Sequence, residues 1–462
     1  MNSFLLNRQL GSISPQALAN AQNNRLLTCL QGAPDVKFAL RTPGEADSSN
    51  GNQNDRPLEQ EGKAHGAGVN SITVDRFEGR YLLSAGADSS VAIWDLEANA
   101  AAHGSPTLHT PLGHTRRTST TESLGITHVS FYPFDSLAFL TSGYDHYLKL
   151  FSSETLTASA SFDLGSIVYC HAVSTVASHL LVACASQHPA VRLVDLRSGS
   201  STHSLAGHAG SVLAVSWHPK DENILVSGAT DGGLRVWDIR RSASSLGVLD
   251  LEDSIGIVGY DGKGTGARGR QRGKAHNGAV NGTTWTDDGR YLISVGHDER
   301  MRVWDMVTGA NTLANFGPSL KNTHATPFFP LLAPSHISPV GRDVVYYPNP
   351  RDIMSFELHT GRLLSRLRIV TPQSSVAAES SSRNLIPRTT SLAWRTHHVE
   401  MYSAHADGVI RCWQPRSRED IELDNEDKEE SGNAETEIER KRKREELDQI
   451  VRDLTKKRTT YY

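Results

Sequence analysis

The stretch YLISVGHDERMRVWDM, residues 291–306, places Asp298 four positions after Ser294 and Trp304 six positions after Asp298. The same frame recurs without gaps in YLLSAGADSSVAIWDL, residues 81–96, and in ILVSGATDGGLRVWDI, residues 224–239. These give the triples Ser84/Asp88/Trp94 and Ser227/Asp231/Trp237. Upstream of each Asp stands one histidine beside a small residue: His65, His208 and His276. A fourth copy, residues 401–415, keeps Ser403, Asp407 and Trp413 but has no upstream histidine. A fifth, residues 139–153, keeps Asp145 and puts Phe151 at the Trp position, and two weaker copies end at Val194 and Phe356. The count is seven. A unit of this size cannot bury its own apolar face, so the copies must stack.

The segments between the turns are short, rich in Val and Ile, and bounded by Gly, Asp and Asn, which marks strands. Apolar spacing near two excludes helical solenoids. The block resembles the WD repeat, and seven copies predict an all-β fold, a seven-bladed WD-repeat β-propeller whose radial closure hides its strand edges. The last recognisable strand ends at Trp413, so another segment must complete that blade. The expectation is residues 58–63, with 36–40 as the runner-up.

His208, Ser227 and Asp231 have the composition of a hydrolase triad. An active site needs one copy in one pocket, whereas this set recurs. The expected role is a buried hydrogen-bond network within each blade, formed by His65, Ser84, Asp88 and Trp94, by His208, Ser227, Asp231 and Trp237, and by His276, Ser294, Asp298 and Trp304. No GxSxG, HExxH or GxxxxGKS string occurs. No catalytic, cofactor or metal residue is therefore assigned, no cofactor is expected, and the chain is read as a non-enzyme.

Composition narrows the class further. The 462 residues carry 47 basic and 51 acidic side chains, a net charge of −4, which argues against direct DNA binding by this chain alone. Four scattered cysteines, Cys29, Cys170, Cys184 and Cys412, contain no CxxC pair and suit a reducing compartment. No apolar run approaches the roughly 18 residues of a membrane span, and MNSFLLNRQL lacks the features of a secretory signal. A soluble intracellular protein with no membrane partner and no small-molecule substrate is expected.

The ends differ in kind. Residues 1–33 read as a helix-loop-helix arm: Ser14 caps, Pro15 opens, and Leu18, Ala21, Leu26, Leu27 and Leu30 form an apolar face, with Gly32 and Pro34 as the stop. Phe4, Leu5, Leu6 and Arg8 belong to a shorter upstream helix. Residues 34–62 read as a flexible linker supplying the closing strand, 63–415 as the propeller, and 261–274 as a Gly/Arg-rich loop. The tail, 416–462, is acidic and disordered at first, then helical and basic. Its Arg440, Lys441, Arg442, Lys443 and Arg444 point to the nucleus.

FLLNRQLG at residue 4, the block from Ala64 through residue 97 and the block from Ala275 through residue 317 together resemble the Cockayne syndrome group A family. HSLAGHAGSVLAVSWHP and VWDIRR, from His203 and Val236, fit the same family. The resemblance implies a substrate-recognition subunit of a cullin-4 RING E3 ubiquitin ligase acting in transcription-coupled nucleotide excision repair. Its implied partners are the ligase's damaged-DNA-binding adaptor, the Cockayne syndrome group B ATPase and stalled RNA polymerase II. On the same grounds Phe4, Leu5, Arg8, Leu18, Leu26 and Leu30 are the implied adaptor contacts on the arm. Arg240 of Trp237-Asp238-Ile239-Arg240 and Arg197 of Val194-Asp195-Leu196-Arg197 are the implied contacts on the propeller. The alternative reading is a generic nuclear WD-repeat scaffold in chromatin or RNA processing, without a ligase role.

Overall fold

A computed structural model describes residues 2–40, 62–98, 107–115, 124–241, 245–251, 274–318, 320–338, 342–369, 388–395 and 397–417. The chain divides into one unit, Met1–Gln414, and a second, Pro415–Tyr462, of which only 415–417 are described. The Gly/Arg-rich segment and the acidic and basic parts of the tail lie outside the described residues.

Seven four-stranded sheets follow one another in chain order, so the fold is a seven-bladed β-propeller. Blade 1 consists of Val69–Val74, Tyr81–Gly86, Val91–Asp95 and Pro111–Thr115. Blade 4 consists of Val212–Trp217, Ile224–Ala229, Leu234–Asp238 and Gly247–Leu249. Blade 5 consists of Val280–Trp285, Tyr291–Gly296, Arg300–Asp305 and Ala310–Asn311. Blades 2, 3 and 6 run from Ile126 to Asp163, Val168 to Ala206 and Leu331 to Arg368, and the inner three strands of blade 7 lie between Thr389 and Pro415. In blades 1, 4 and 5 the second and third strands are buried almost end to end because both faces meet a neighbouring blade, so they read as apolar runs rather than alternations. Seven clusters of buried side chains result, one per interface between adjacent blades, including the seam of blade 7 with blade 1.

The innermost strands run in one sense around the channel. Turns between first and second strands, and between third and fourth, therefore share a lower end. Turns between second and third strands, and the links between blades, share an upper end. At the upper end Gly232 has φ +79° and its carbonyl accepts from the amides of Ala275 and His276 of the next blade. A Cβ there would stand 2.4 Å from the His276 carbonyl oxygen. Gly232→Val is thus expected to cost about 2 kcal/mol or more, read as a lower urea midpoint at unchanged m-value.

Closure differs from expectation. The outermost strand of blade 7 is β1, Leu30–Ala33, hydrogen-bonded beside Ile410–Pro415. Residues 58–61 lie outside the described residues, and 62–63 are not strand. The runner-up does contain a strand, β2, Val36–Phe38, but it pairs parallel with Thr107–His109 as a separate ribbon. There Phe38 is fully buried, edge-on to Trp94 at 5.4 Å and to Tyr402 at 6.0 Å, sealing the seam between blades 7 and 1. β1 prevails because Leu27 and Leu30 sink together among Met401, Trp394 and Trp413. The strand then starts two residues after its helix ends.

The helices themselves are α1, Asn2–Gln9, and α2, Pro15–Thr28, the latter capped by the Ser14 hydroxyl accepting from the Ala17 amide at 3.2 Å.

Candidate interaction surfaces

In blade 5 the indole Nε1 of Trp304 donates to Ser294 Oγ at 2.9 Å, and Ser294 lies 2.7 Å from His276 Nε2. His276 Nδ1 stands 2.9 Å from Asp298, whose other oxygen takes the Arg302 guanidinium at 2.7 Å. Blade 4 repeats the chain through Trp237, Ser227 and His208 at 2.8 and 2.7 Å, then Asp231 at 3.3 Å. In blade 1 Trp94 and His65 meet Ser84 at 2.8 and 2.7 Å, but Ser90 stands between His65 Nδ1 and Asp88, at 2.6 and 2.5 Å. Ser84, Ser227 and Ser294 are fully buried, and each oxygen already accepts from an indole. These hydroxyls have no room to attack a substrate. Each set fastens the turn after the second strand to the loop entering the blade, through Asp88 to the Gly66 amide and Asp231 to the Ala209 amide, both at 2.9 Å.

Burial alone would raise the three carboxyls. The histidines outweigh it, by direct hydrogen bonds in blades 4 and 5 and by the nearness of His65 in blade 1, with help from Ser90 in blade 1, backbone amides in blade 4 and Arg302 in blade 5, and all three are held well below the ordinary carboxylate range. A depressed folded-state pKa adds stability that is present above the unfolded carboxyl value of about 4 and is lost as the pH falls below it. The melting temperature is expected to drop between pH 5 and 3, with a shallower drop in Asp298→Asn.

Blade 7 shows what the sequence concealed. His405, inside the second strand, supplies the missing ring: its Nε2 lies 2.8 Å from Ser403, which accepts from Trp413 at 2.8 Å. His405 occupies the place of Gly86 and Gly296, where a Cβ would come within 2.7 and 2.5 Å of His65 and His276. The ring thus reaches the same space from the opposite side. The signal was SAHAD aligned under SAGAD. Blade 2 fills its Trp position by stacking Phe151 on Phe139 at 5.2 Å.

The implied adaptor residues separate into two groups. Leu30 is corrected: only 2 % exposed, it belongs to the closing strand and its cluster, not to a docking face. Phe4 and Leu5 lie on α1, and their side chains are outside the described residues. Arg8, Leu6 and Leu10 are exposed, Leu26 is 38 % exposed, and Leu18 is half-buried. α2 meets the lower end of blade 6, where the Asn23 side chain reaches the His336 carbonyl at 3.4 Å. Arg197 and Arg240 follow third strands of blades 3 and 4 and share that lower end. Arg240 is already forked onto Asp238 at 3.0 and 2.9 Å, although 65 % exposed, a pair screened by water and of small energetic weight. Arg80 grips Asp95 in the same way in blade 1. The exposed apolar residues Phe77, Phe134 and Val176 project from lower turns of blades 1, 2 and 3.

At the upper end, residues 322–330 cross toward the channel before blade 6 begins. The buried Asn281 amide stands 3.0 Å from Asn322 Oδ1 and from the carbonyls of His324 and Thr326, and Asn322 returns a 2.7 Å bond. This segment lies between repeats, so no repeat pattern marked it. Among the described residues no group of side chains could hold a metal ion, and no helix is long and apolar enough to cross a membrane.

The WD domain, G-beta repeat family matches residues 58–95, 199–238 and 269–305. The chain is 30% identical over 410 residues to "WD repeat-containing protein ATCSA-1" of Arabidopsis thaliana, spanning 76% of this chain and 86% of that protein. It is also 30% identical over 268 residues to "Ribosome biogenesis protein YTM1" of Chaetomium globosum, spanning 52% of this chain and about half, 54%, of that protein. A "Ribosome biogenesis protein WDR12 homolog" of Chlamydomonas reinhardtii is 31% identical over 145 residues, spanning 30% of this chain and 32% of that protein. These matches correct the narrower resemblance to the Cockayne syndrome group A protein. Relatives bearing ribosome-biogenesis names match this chain at similar identity over part of its length, so the resemblance does not single out one protein. The chain belongs to the WD-repeat proteins, in the family that holds ATCSA-1 of Arabidopsis thaliana.

Proposed function

We propose that this chain is a nuclear WD-repeat scaffold, serving chromatin or RNA processing by holding partners together and not by chemistry of its own. The observation that carries this reading is where exposed apolar and guanidinium groups collect. The polar residues of the recurring sets are consumed inside the blades, whereas Phe77, Phe134, Val176, Arg197 and Arg240 are presented together at the lower end. An exposed set of apolar and guanidinium groups is what a partner surface requires. The ribosome-biogenesis names of several relatives favour an RNA-processing assembly, and the basic run at Arg440 favours the nucleus. Sedimentation of nuclear extract tests it. The full chain should travel in a large particle, and Phe134→Ser with Val176→Ser should release it at unchanged melting temperature. A chain that stays at monomer size would contradict the reading.

The exposed Leu6, Arg8, Leu10 and Leu26 of the arm favour a second reading, a receptor subunit of the cullin-4 ligase in transcription-coupled repair. Its test is a titration against the damaged-DNA-binding adaptor. A chain beginning at Ser12 should bind at least about tenfold more weakly, or 1.4 kcal/mol, than the full chain. Full-length chain that ignores the adaptor ends that reading.

A further inference from the structure

The upper mouth of the channel holds a small cavity of about 20 Å³ lined by Asn70, His128, Tyr144, Thr326, Arg388 and Thr390, among others. It has room for a small polar group. Arg388 is partly buried there, and no carboxylate among the described residues pairs with it; burial works against its charge, and only Tyr144 offsets this. Several other cations at this end of the molecule are held by a carboxylate. Lys149 is held by Asp145 at 2.6 Å, Arg302 by Asp298 at 2.7 Å, Arg411 by Asp407 at 2.9 Å and Lys321 by Glu299 at 3.1 Å. A cation withdrawn from water without a counter-charge is unfavourable and persists where a ligand supplies one.

The remaining donors define that ligand. Asn70 spends its amide on the Ile126 carbonyl at 2.6 Å, and Thr390 spends its hydroxyl on the Val69 carbonyl at 2.5 Å. The Arg388 fork and the Tyr144 hydroxyl have no hydrogen-bond partner among the described residues, and His128 Nδ1 is buried without one. A guanidinium and a phenol call for an acceptor-only group, and a guanidinium fork matches a carboxylate. We propose that this cavity receives the carboxylate of an Asp or Glu side chain from a partner peptide, with Arg388 as its anchor and Tyr144 as second donor. The assignment rests on the scaffold reading and gives one partner group its chemistry.

The test is a peptide array in which a central Glu, Asp, Gln or phosphoserine is flanked by randomised positions, probed with the full chain and with Arg388→Gln, Arg388→Lys and Tyr144→Phe. Central Glu or Asp should outbind central Gln by more than tenfold. Arg388→Gln should abolish that preference without lowering the melting temperature, Arg388→Lys should restore part of it, and Tyr144→Phe should weaken it. Four results would overturn the assignment: no carboxylate preference, a preference that survives Arg388→Gln, a stronger phosphoserine signal through Arg388, or a lower melting temperature for Arg388→Gln. Each would leave the sedimentation result for the scaffold reading untouched.

Discussion

Trp304→Ala should reduce the stability of the propeller by about 3–5 kcal/mol, the range for emptying a buried aromatic site. Trp304 is fully buried, packs among Leu292, Val226 and Val236 at the seam of blades 4 and 5, and supplies the donor to Ser294. Its removal therefore leaves a cavity and a serine hydroxyl short of a partner in one step. The control is Trp285→Ala, at the end of the innermost strand of the same blade. That indole is 8 % exposed and its Nε1 has no hydrogen-bond partner among the described residues, so a smaller loss is expected. Urea unfolding followed by circular dichroism reads both. Equal losses would show that the hydrogen-bonded sets add nothing beyond the volume they fill.

Removing residues 1–33 should prevent a stable monomer from forming at all. The cut deletes β1 and leaves Ile410–Pro415 as an open outer edge. It also uncovers Met401 and Trp413, which Leu27 and Leu30 bury. An unpaired strand edge beside exposed apolar side chains is a template for aggregation. A chain beginning at Ser12 loses only α1 and keeps α2 and β1, so it should melt like the full chain. Size-exclusion chromatography with thermal denaturation separates the two. A well-behaved monomer beginning at Pro34 would show that blade 7 closes without β1. The comparison also means that the arm's binding role is measured only with the shorter deletion.

Repeated units made the propeller legible. Ser, Asp and Trp recur at fixed offsets in blades 1, 4 and 5 because one hydrogen-bond chain must be rebuilt in each, and the blade count followed from the weaker copies. What escaped notice was built once. Leu26, Leu27 and Leu30 sit at spacings that suit a helix face, and a four-residue strand containing Gly32 offers too little alternation to overrule them. That spacing puts Leu30 on a docking face, whereas the fold makes it core. His405 is hidden in the sequence because blades 1, 4 and 5 carry this histidine upstream, although it stands at the position where two other blades require glycine. Arg240 was assigned from its motif as a partner contact, and the geometry adds a local forked pair with Asp238 that no sequence offset reveals. Residues 322–330 and Arg388 belong to links between blades, where the repeat carries no information and tertiary placement decides.

On the proposed reading, the molecule consists of struts inside the blades and partner surfaces at the two ends. Sedimentation of nuclear extract with two variants tests this division most directly. Ser294→Ala removes a strut: it should lower the melting temperature and, below that temperature, still travel in the large particle. Phe134→Ser with Val176→Ser removes part of the lower surface: it should melt like the parent and sediment as a free chain. If Ser294→Ala instead releases the particle while the chain remains folded, and the surface variant retains it, the buried sets carry the function and the account fails.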